Sequence, residues 1–416
     1  MGDRAANFNS KELGRHAMQY KTLYIFIVMM ELLFYASPAK AQVQIGGLAD
    51  FEIRKAGSDS SPYVNQTPNG NWSIYTPYLR LFVNGNISEK WFVSAALQSD
   101  HYEGNHLSPL FFSVMNINYM PFETSSFMVT AGRFVTPYGA YSNRVLSSEN
   151  PFVHLPLSHA SGLPISKKHG TLYNDVEYGD DVQGLTMIYQ RMYTQGILLK
   201  DRLGDNEWLQ YQMAATLSAA SSHFEYGEHP IPALTGRVVF QPVVWGGLGF
   251  SFSSGPFMKR DDANISLTDD QLKKYTQTLF GADLQLSYHY FTFVASYNWS
   301  NWEAPYFDPQ TSPREYLWDD EVNAQHLSAE LVTDFAFLPG AYAGIRLERL
   351  ITGDLTSSAD FAYWTRSWSY DRDRIEFTTG IKLQRNVILK ASYLYATDDG
   401  PDLDDNVFAI QLSAGF

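Results

Sequence analysis

The sequence predicts an all-β protein: a closed transmembrane antiparallel β-barrel of about sixteen strands, with eighteen as the alternative, carrying one long inward loop. Three observations predict it. The last ten residues, Val407 to Phe416, alternate without a break. Phe408, Ile410, Leu412, Ala414 and Phe416 share one face, and Val407, Ala409, Gln411, Ser413 and Gly415 share the other, the period of two of a half-buried strand. Similar segments recur along the chain behind an N-terminal run that reads as an export signal. No later segment approaches the ~18 consecutive apolar residues of a spanning helix.

At the N-terminus, Lys21 precedes a mostly apolar run, Thr22 to Tyr35, and Ala39-Lys40-Ala41 follows before Gln42. A basic flank, a short apolar core and an A-x-A site read as a cleaved signal peptide, so residues 1–41 are expected to leave and 42–416 to form the barrel. A transmembrane anchor is the weaker reading, because the run is short and carries Glu31. The polar stretch ahead of Met18 makes Met18 an alternative start. Removing 1–41 takes away five basic groups (Arg4, Lys11, Arg15, Lys21, Lys40) and three acids (Asp3, Glu12, Glu31), so the net charge of −14 becomes −16. That balance argues against a nucleic-acid partner. Charged residues are only 18% and aromatics reach 15%, which suits a barrel wall facing lipid. The chain has no cysteine, so disulfides, thiolate metal sites and cysteine nucleophiles are excluded.

The mature chain reads as a hairpin series. Its first strand is expected at Gln44–Lys55, close behind the cleavage site, which leaves no room for an N-terminal plug. Tyr75, Leu79, Leu81 and Val83 alternate with Tyr78, Arg80, Phe82 and Asn84, and Trp91, Val93, Ala95 and Leu97 alternate with Ser94, Gln98 and Asp100. Folding back at His289-Tyr290 pairs Leu286 with Phe293 and Leu284 with Ala295 on the apolar face. It pairs Ser287 with Thr292 and Asp283 with Ser296 on the polar face, a consistent antiparallel register. Short turns at Asn86–Lys90, Met120–Thr124, Gln241–Val243, His289-Tyr290, Phe337–Gly340 and Gln384–Asn386 oppose long polar segments at 56–73, 136–180, 221–231, 256–273, 304–320, 351–371 and 397–405. That asymmetry is periplasmic against extracellular, and it puts both termini on the short-turn side with an even strand number. About seventeen candidates result, and they fall to sixteen if Leu199–Glu207 is a long turn.

The segment Met128–Tyr141, MVTAGRFVTPYGAY, resembles the GRF-x-x-P-[FY]-G stretch of the porin superfamily that includes the phosphate-selective porins O and P. Together with the hairpin layout and the terminal Phe416, it marks a resemblance to Gram-negative outer-membrane porins. The resemblance implies a sixteen-stranded, commonly homotrimeric channel in outer-membrane lipid, with 136–180 as the constriction loop. It also implies that the insertion machinery reads Phe416. Phosphate selectivity is not implied for this chain, which lacks an obvious row of lysines and arginines.

With the apolar faces toward lipid, the alternate residues are expected to line the pore. These are Asp50, Glu52, Arg54, Arg80, Asp100, Arg133, Asp283, Glu330, Arg346, Glu348, Arg374, Glu376, Lys382 and Lys390. Both signs occur, which suits hydrated polar solutes better than one ion type; pairing across strands is the plainer alternative. One register of the hairpin around loop 351–371 sets Leu347 against Ile375 and Ile345 against Phe377 toward lipid. On the other side it sets Glu348 against Arg374 and Arg346 against Glu376. Arg133 enters the constriction segment, where it would attract anions or anchor the loop to Glu149 or Asp175. Lys167, Lys168 and His169 form a possible basic patch in that loop, with solvation the plainer reading.

The acidic clusters Asp261-Asp262, Asp269-Asp270, Asp319-Asp320-Glu321 and 398–405 lack calcium-loop spacing, and the histidines lack metal-site spacing. Neither a metal nor a cofactor is expected. His159-Ala160-Ser161-Gly162 is a local His/Ser pairing, but no nucleophile elbow is present, so no enzyme is expected. Trp91, Trp245, Phe291, Trp299, Trp302, Tyr393 and Tyr395 read as interfacial girdles, with a lumenal stacking track for sugars as the alternative. The expected function is passive diffusion of small hydrophilic solutes or ions through a water-filled pore. The alternative is a barrel anchor for surface or secretion machinery.

Overall fold

In the computed structural model, the described residues are 42–58, 70–101, 107–166, 172, 184–204, 206–223, 231–258, 268–307, 315–353, 369–399 and 404–416. The expected signal peptide and the patch Lys167, Lys168, His169 lie outside them, as do Asp175, Asp261-Asp262 and part of the 398–405 acidic run. One sheet contains seventeen strand segments, two of which form a single strand broken at Thr76-Pro77. Proline lacks the N–H a ladder needs.

Sixteen strands therefore make the wall: β1 (Val43–Ala56), β2 (Trp72–Tyr75 with Tyr78–Asn86), β3 (Trp91–Asp100), β4 (Phe111–Tyr119), β5 (Met128–Val135), β6 (Tyr193–Leu203), β7 (Leu209–Thr216) and β8 (Ala233–Val243). They continue as β9 (Gly246–Pro256), β10 (Thr276–Tyr288), β11 (Phe291–Phe307), β12 (Tyr316–Asp334), β13 (Ala341–Thr352), β14 (Arg372–Gln384), β15 (Val387–Asp398) and β16 (Val407–Gly415). Each pairs antiparallel with its neighbours, and β1 closes on β16 from Leu48 opposite Gly415 to Ala56 opposite Val407. Closure gives every strand two partners, the condition for spanning lipid without unpaired backbone.

The period of two divides the wall as the side chains dictate. Ile410 and Leu412 are exposed while Ala409, Gln411 and Ser413, which alternate with them, are buried. The two hairpin registers read from the sequence are the observed ones: Asp283 faces Ser296 and Ser287 faces Thr292, and Glu348 faces Arg374 and Arg346 faces Glu376.

Several expectations change. The short turn expected at Gln241–Val243 falls at Val244-Trp245, and the polar segment expected at 304–320 is strand at 304–307 and 316–320. Residues 199–203 continue β6, pairing with β7 through Leu203 opposite Leu209, so the long turn expected at Leu199–Glu207 shrinks to the few residues after Leu203. Trp302 does not sit in a girdle; it is fully buried. Trp91, Trp245, Phe291, Tyr393 and Tyr395 are exposed, as lipid-boundary aromatics should be.

The chain end has a seat of its own. A Cβ on Gly47 would come within 2.3 Å of the Phe416 ring, and the two residues also bond through their backbones (Phe416 N to Gly47 O, 3.1 Å). Gly47→Leu should push the ring out of place, an overpacking that costs on the order of 1–3 kcal/mol. It should lower the yield of heat-modifiable, folded barrel as deletion of Phe416 does. Wild-type surface levels for both variants would show that the seated ring has no part in assembly.

Candidate functional site

After β5 the chain turns inward, because Thr136-Pro137-Tyr138 cannot prolong a ladder past a proline. Tyr138 is fully buried, and its hydroxyl donates to Asn298 Oδ1 on β11 (3.2 Å). Gly139 N donates to Ser251 Oγ on β9 (3.0 Å). From there residues 140–162 run along the inner wall through polar contacts to β12, β13, β14, β15 and β1. Arg144 bonds Glu330 (2.7 Å). The Ser147 hydroxyl donates to Asp50 (2.7 Å), and its carbonyl accepts from Lys390 Nζ. His154 Nδ1 lies 3.0 Å from Glu376, and Leu157 N donates to Glu348 (2.9 Å). Arg346 donates to the His154 carbonyl (2.8 Å), Arg374 to the Leu155 carbonyl, and Arg372 to Ser161 Oγ.

The charges on β12–β14 thus form one buried network. Arg346 pairs with Glu376 and lies 3.1 Å from Glu348 through Nε. Arg374 pairs with Glu348, and His326 Nε2 is 3.1 Å from the same carboxylate. Glu348 is 6% exposed, Arg374 is 2%, and Arg346 and Glu376 are 0%. Residues expected to line a wet pore are therefore inward-facing but covered, and they bond the inner segment. Asp283 is likewise buried, clasped by Arg237 (2.8 Å). Asp100 is clasped by Arg191 (2.9 Å) and Arg80 by Gln98 (2.7 Å). Lys382 differs; it is exposed at the short-turn end of β14.

Arg133 departs from its expected place. It pairs with Met115, and its neighbour Ala131 pairs with Ile117; Met115 and Ile117 are exposed, so Arg133 shares the outward face. Gly132, at φ +124°, precedes it. The guanidinium donates to the Phe112 carbonyl (2.8 Å) and lies 4.9 Å from the centre of the Tyr193 ring. Glu149, one anchor expected for it, is exposed.

Farther along, the inner segment makes a dry contact. Leu163–Ser166 pairs with Gly184–Leu185. Tyr138, Leu157, Ile165 and Ile188 pack with Leu279, Trp302, Val322 and Leu350 of β10–β13, all at most 1% exposed. Strand alternation alone assigns apolar residues to lipid, so it gives no sign of this inward apolar core. The sequence reading also missed Arg144, His154, Arg191, Arg237 and His326. Arg237, which shares its strand face with Thr235 and Ala233, both buried, and His326, on the β12 face of Glu330, were recoverable from alternation; Arg144, His154 and Arg191 lie outside the strands.

His159 is buried against Tyr141 (ring centres 4.9 Å) with Ser158 Oγ 3.0 Å from its Nδ1. Burial, helped by nearby His326, pushes the imidazole down to about 3. The pairing of His159 with Ser161 suggested by sequence does not form; Ser161 Oγ accepts from Arg372 instead. Among the described residues, no group of three or more His, Cys, Asp or Glu could hold a metal.

No protein-family model matches the chain, and no curated protein matches it in sequence. Solved structures do match in fold. The outer-membrane channel DcaP of Acinetobacter baumannii aligns with a TM-score of 0.58 at 10% identity, over 91% of this chain and 99% of that one. OmpF of Salmonella typhi, in complex with daunomycin, gives 0.54 at 13% identity over 90% and 98%. An anion-selective porin from Comamonas acidovorans gives 0.53 at 9% identity over 91% and 100%. The fold is that of outer-membrane porin barrels.

Two outcomes follow from the buried network. Glu348→Ala, which leaves Arg374 and His326 without their shared carboxylate, should cost about 3–5 kcal/mol, read as a lower urea midpoint of the barrel in lipid vesicles. Replacing Glu348 and Arg374 together by leucine should cost far less; equal losses would mean the pair is not coupled. Separately, His159 takes up its proton far more readily unfolded than folded. Its contribution should therefore be intact above the ordinary histidine value of 6.5 and fade as pH falls toward about 3. His159→Phe should flatten that acid limb.

Proposed function

We propose that this chain is a passive channel of the Gram-negative outer membrane, admitting small hydrophilic solutes through a lumen narrowed by 136–180. In this reading 1–41 is removed on export, the barrel sits in outer-membrane lipid, and three copies assemble as the porin resemblance implies. The observation that carries it is the one-sided seating of the inner segment. Residues 138–162 bond to β9, β11–β15 and β1, which narrows the lumen from one wall. A pore filtering by size needs a fixed constriction, and buried ion pairs with a dry core fix this one. No catalytic step is part of the proposal.

The packed core beneath β10–β13 favours a second reading, a closed barrel that anchors other machinery. Planar-bilayer recording separates the two. The channel reading expects steady conductance steps, in multiples of three for a trimer, and larger steps once residues 146–162 are replaced by a short glycine-serine link. A folded barrel that never conducts, with or without that segment, would leave the anchor reading in its place.

A further inference from the structure

The inner wall is divided chemically as well as sterically. Apart from Asp334 and Lys382 at the short-turn rim, its charges on β12–β15 are buried behind the inner segment. Toward the short turns of β1–β4, by contrast, the register sets Gln44 opposite Asn84, Asn84 opposite Ser94, and Ser94 opposite Asn116. All share the strand face of buried Arg80, Gln98 and Asn118, so they point inward. Gln44 and Asn84 are exposed, Ser94 and Asn116 half-buried. The row passes to Gly132 and then Gly196, which face one another with no side chain between, and beyond them Gln212 and Gln210 of β7 stand half-buried.

Farther from the short turns on these strands, Asp50, Glu52, Arg80 and Asp100 are buried and half-buried Arg54 is paired with Glu52; toward the short turns few charges interrupt this side among the described residues. Lys200, half-buried, lies opposite Gln212. At the short-turn rim both signs occur: Arg202 is paired with Glu207 at 2.8 Å, and Asp334 and Lys382 are exposed. An amide donates and accepts at once, so such a wall can stand in for the water around a hydroxylated solute. It supplies no ring of one sign, which is what ion selectivity requires.

Building on the channel reading, we infer that the open side of the lumen favours neutral, hydroxyl-rich solutes such as sugars and polyols, and discriminates little between small cations and anions. The amide row on β1–β4 and β7 would set that preference.

The test uses the purified full-length barrel. Reversal potentials under a potassium chloride gradient should lie near zero. In liposome swelling, a neutral hexose should enter faster than the uronate or the amino sugar of the same size. Asn84→Asp with Asn116→Asp should shift the permeability ratio several-fold toward cations. Because Asn116 also bonds the Arg133 carbonyl (3.0 Å), Gln44→Glu with Gln212→Glu is a second variant with less risk to folding, and it should move the ratio in the same direction. Strong selectivity for one sign in the unaltered channel, faster entry of a charged sugar, or an unmoved ratio in both variants would overturn this inference and leave the channel standing. Absence of any conductance would overturn both.

Discussion

A charge facing the inside of this barrel, once water is excluded from around it, has to find a partner of opposite sign. Arg346, Glu348, Arg374 and Glu376 are all nearly inaccessible, and removing ions of this size from water costs several kcal/mol each. The cross-strand register of β13 and β14 matches them two by two, and the inner segment completes the set with His154, the Leu157 amide and the backbone carbonyls of His154 and Leu155. Buried pairs of this kind contribute little net stability; their effect is to penalise every other position of the segment.

The holding force comes from elsewhere. Burying a large apolar side chain contributes roughly 1.5–3 kcal/mol, and the segment presents Tyr138, Leu157, Ile165 and Ile188 to four large residues of the wall. A cross-strand charge pair contributes roughly 0.2–1 kcal/mol. The dry core therefore keeps the segment inside, and the ion network decides where it lies. The remaining wall keeps its amides, of which Gln44 and Asn84 are exposed among the described residues.

The barrel was legible in the sequence because alternation is a local property: each strand reports which residues face lipid, and the β10–β11 and β13–β14 registers follow from matching two such patterns. What the segment does with the inward charges was not legible. Pairs such as Arg144 with Glu330 or His154 with Glu376 join residues far apart in the chain, and no periodicity links them. Trp302 shows a second limit, since an aromatic near a strand end reads as a girdle residue unless the loop that covers it is known. Arg133 shows a third. Expected inside with the other alternate residues and at the entry to the inward loop, it lies on the outward side, which follows only from the partners Met115 and Ile117 across the ladder.

Ser147 occupies an unusual place in this arrangement. Its hydroxyl reaches Asp50 on the first strand, and its carbonyl receives Lys390 on the next-to-last, so it spans the joint where the two ends of the chain meet. Between them Gln411 of the last strand bonds both Lys390 and Glu52. The seam is thus laced from within as well as zipped along its backbone ladder. Prising the first and last strands apart sideways, toward the bilayer, would tear these side-chain ties along with the ladder. The inner segment is in mechanical terms also a rivet across the weld.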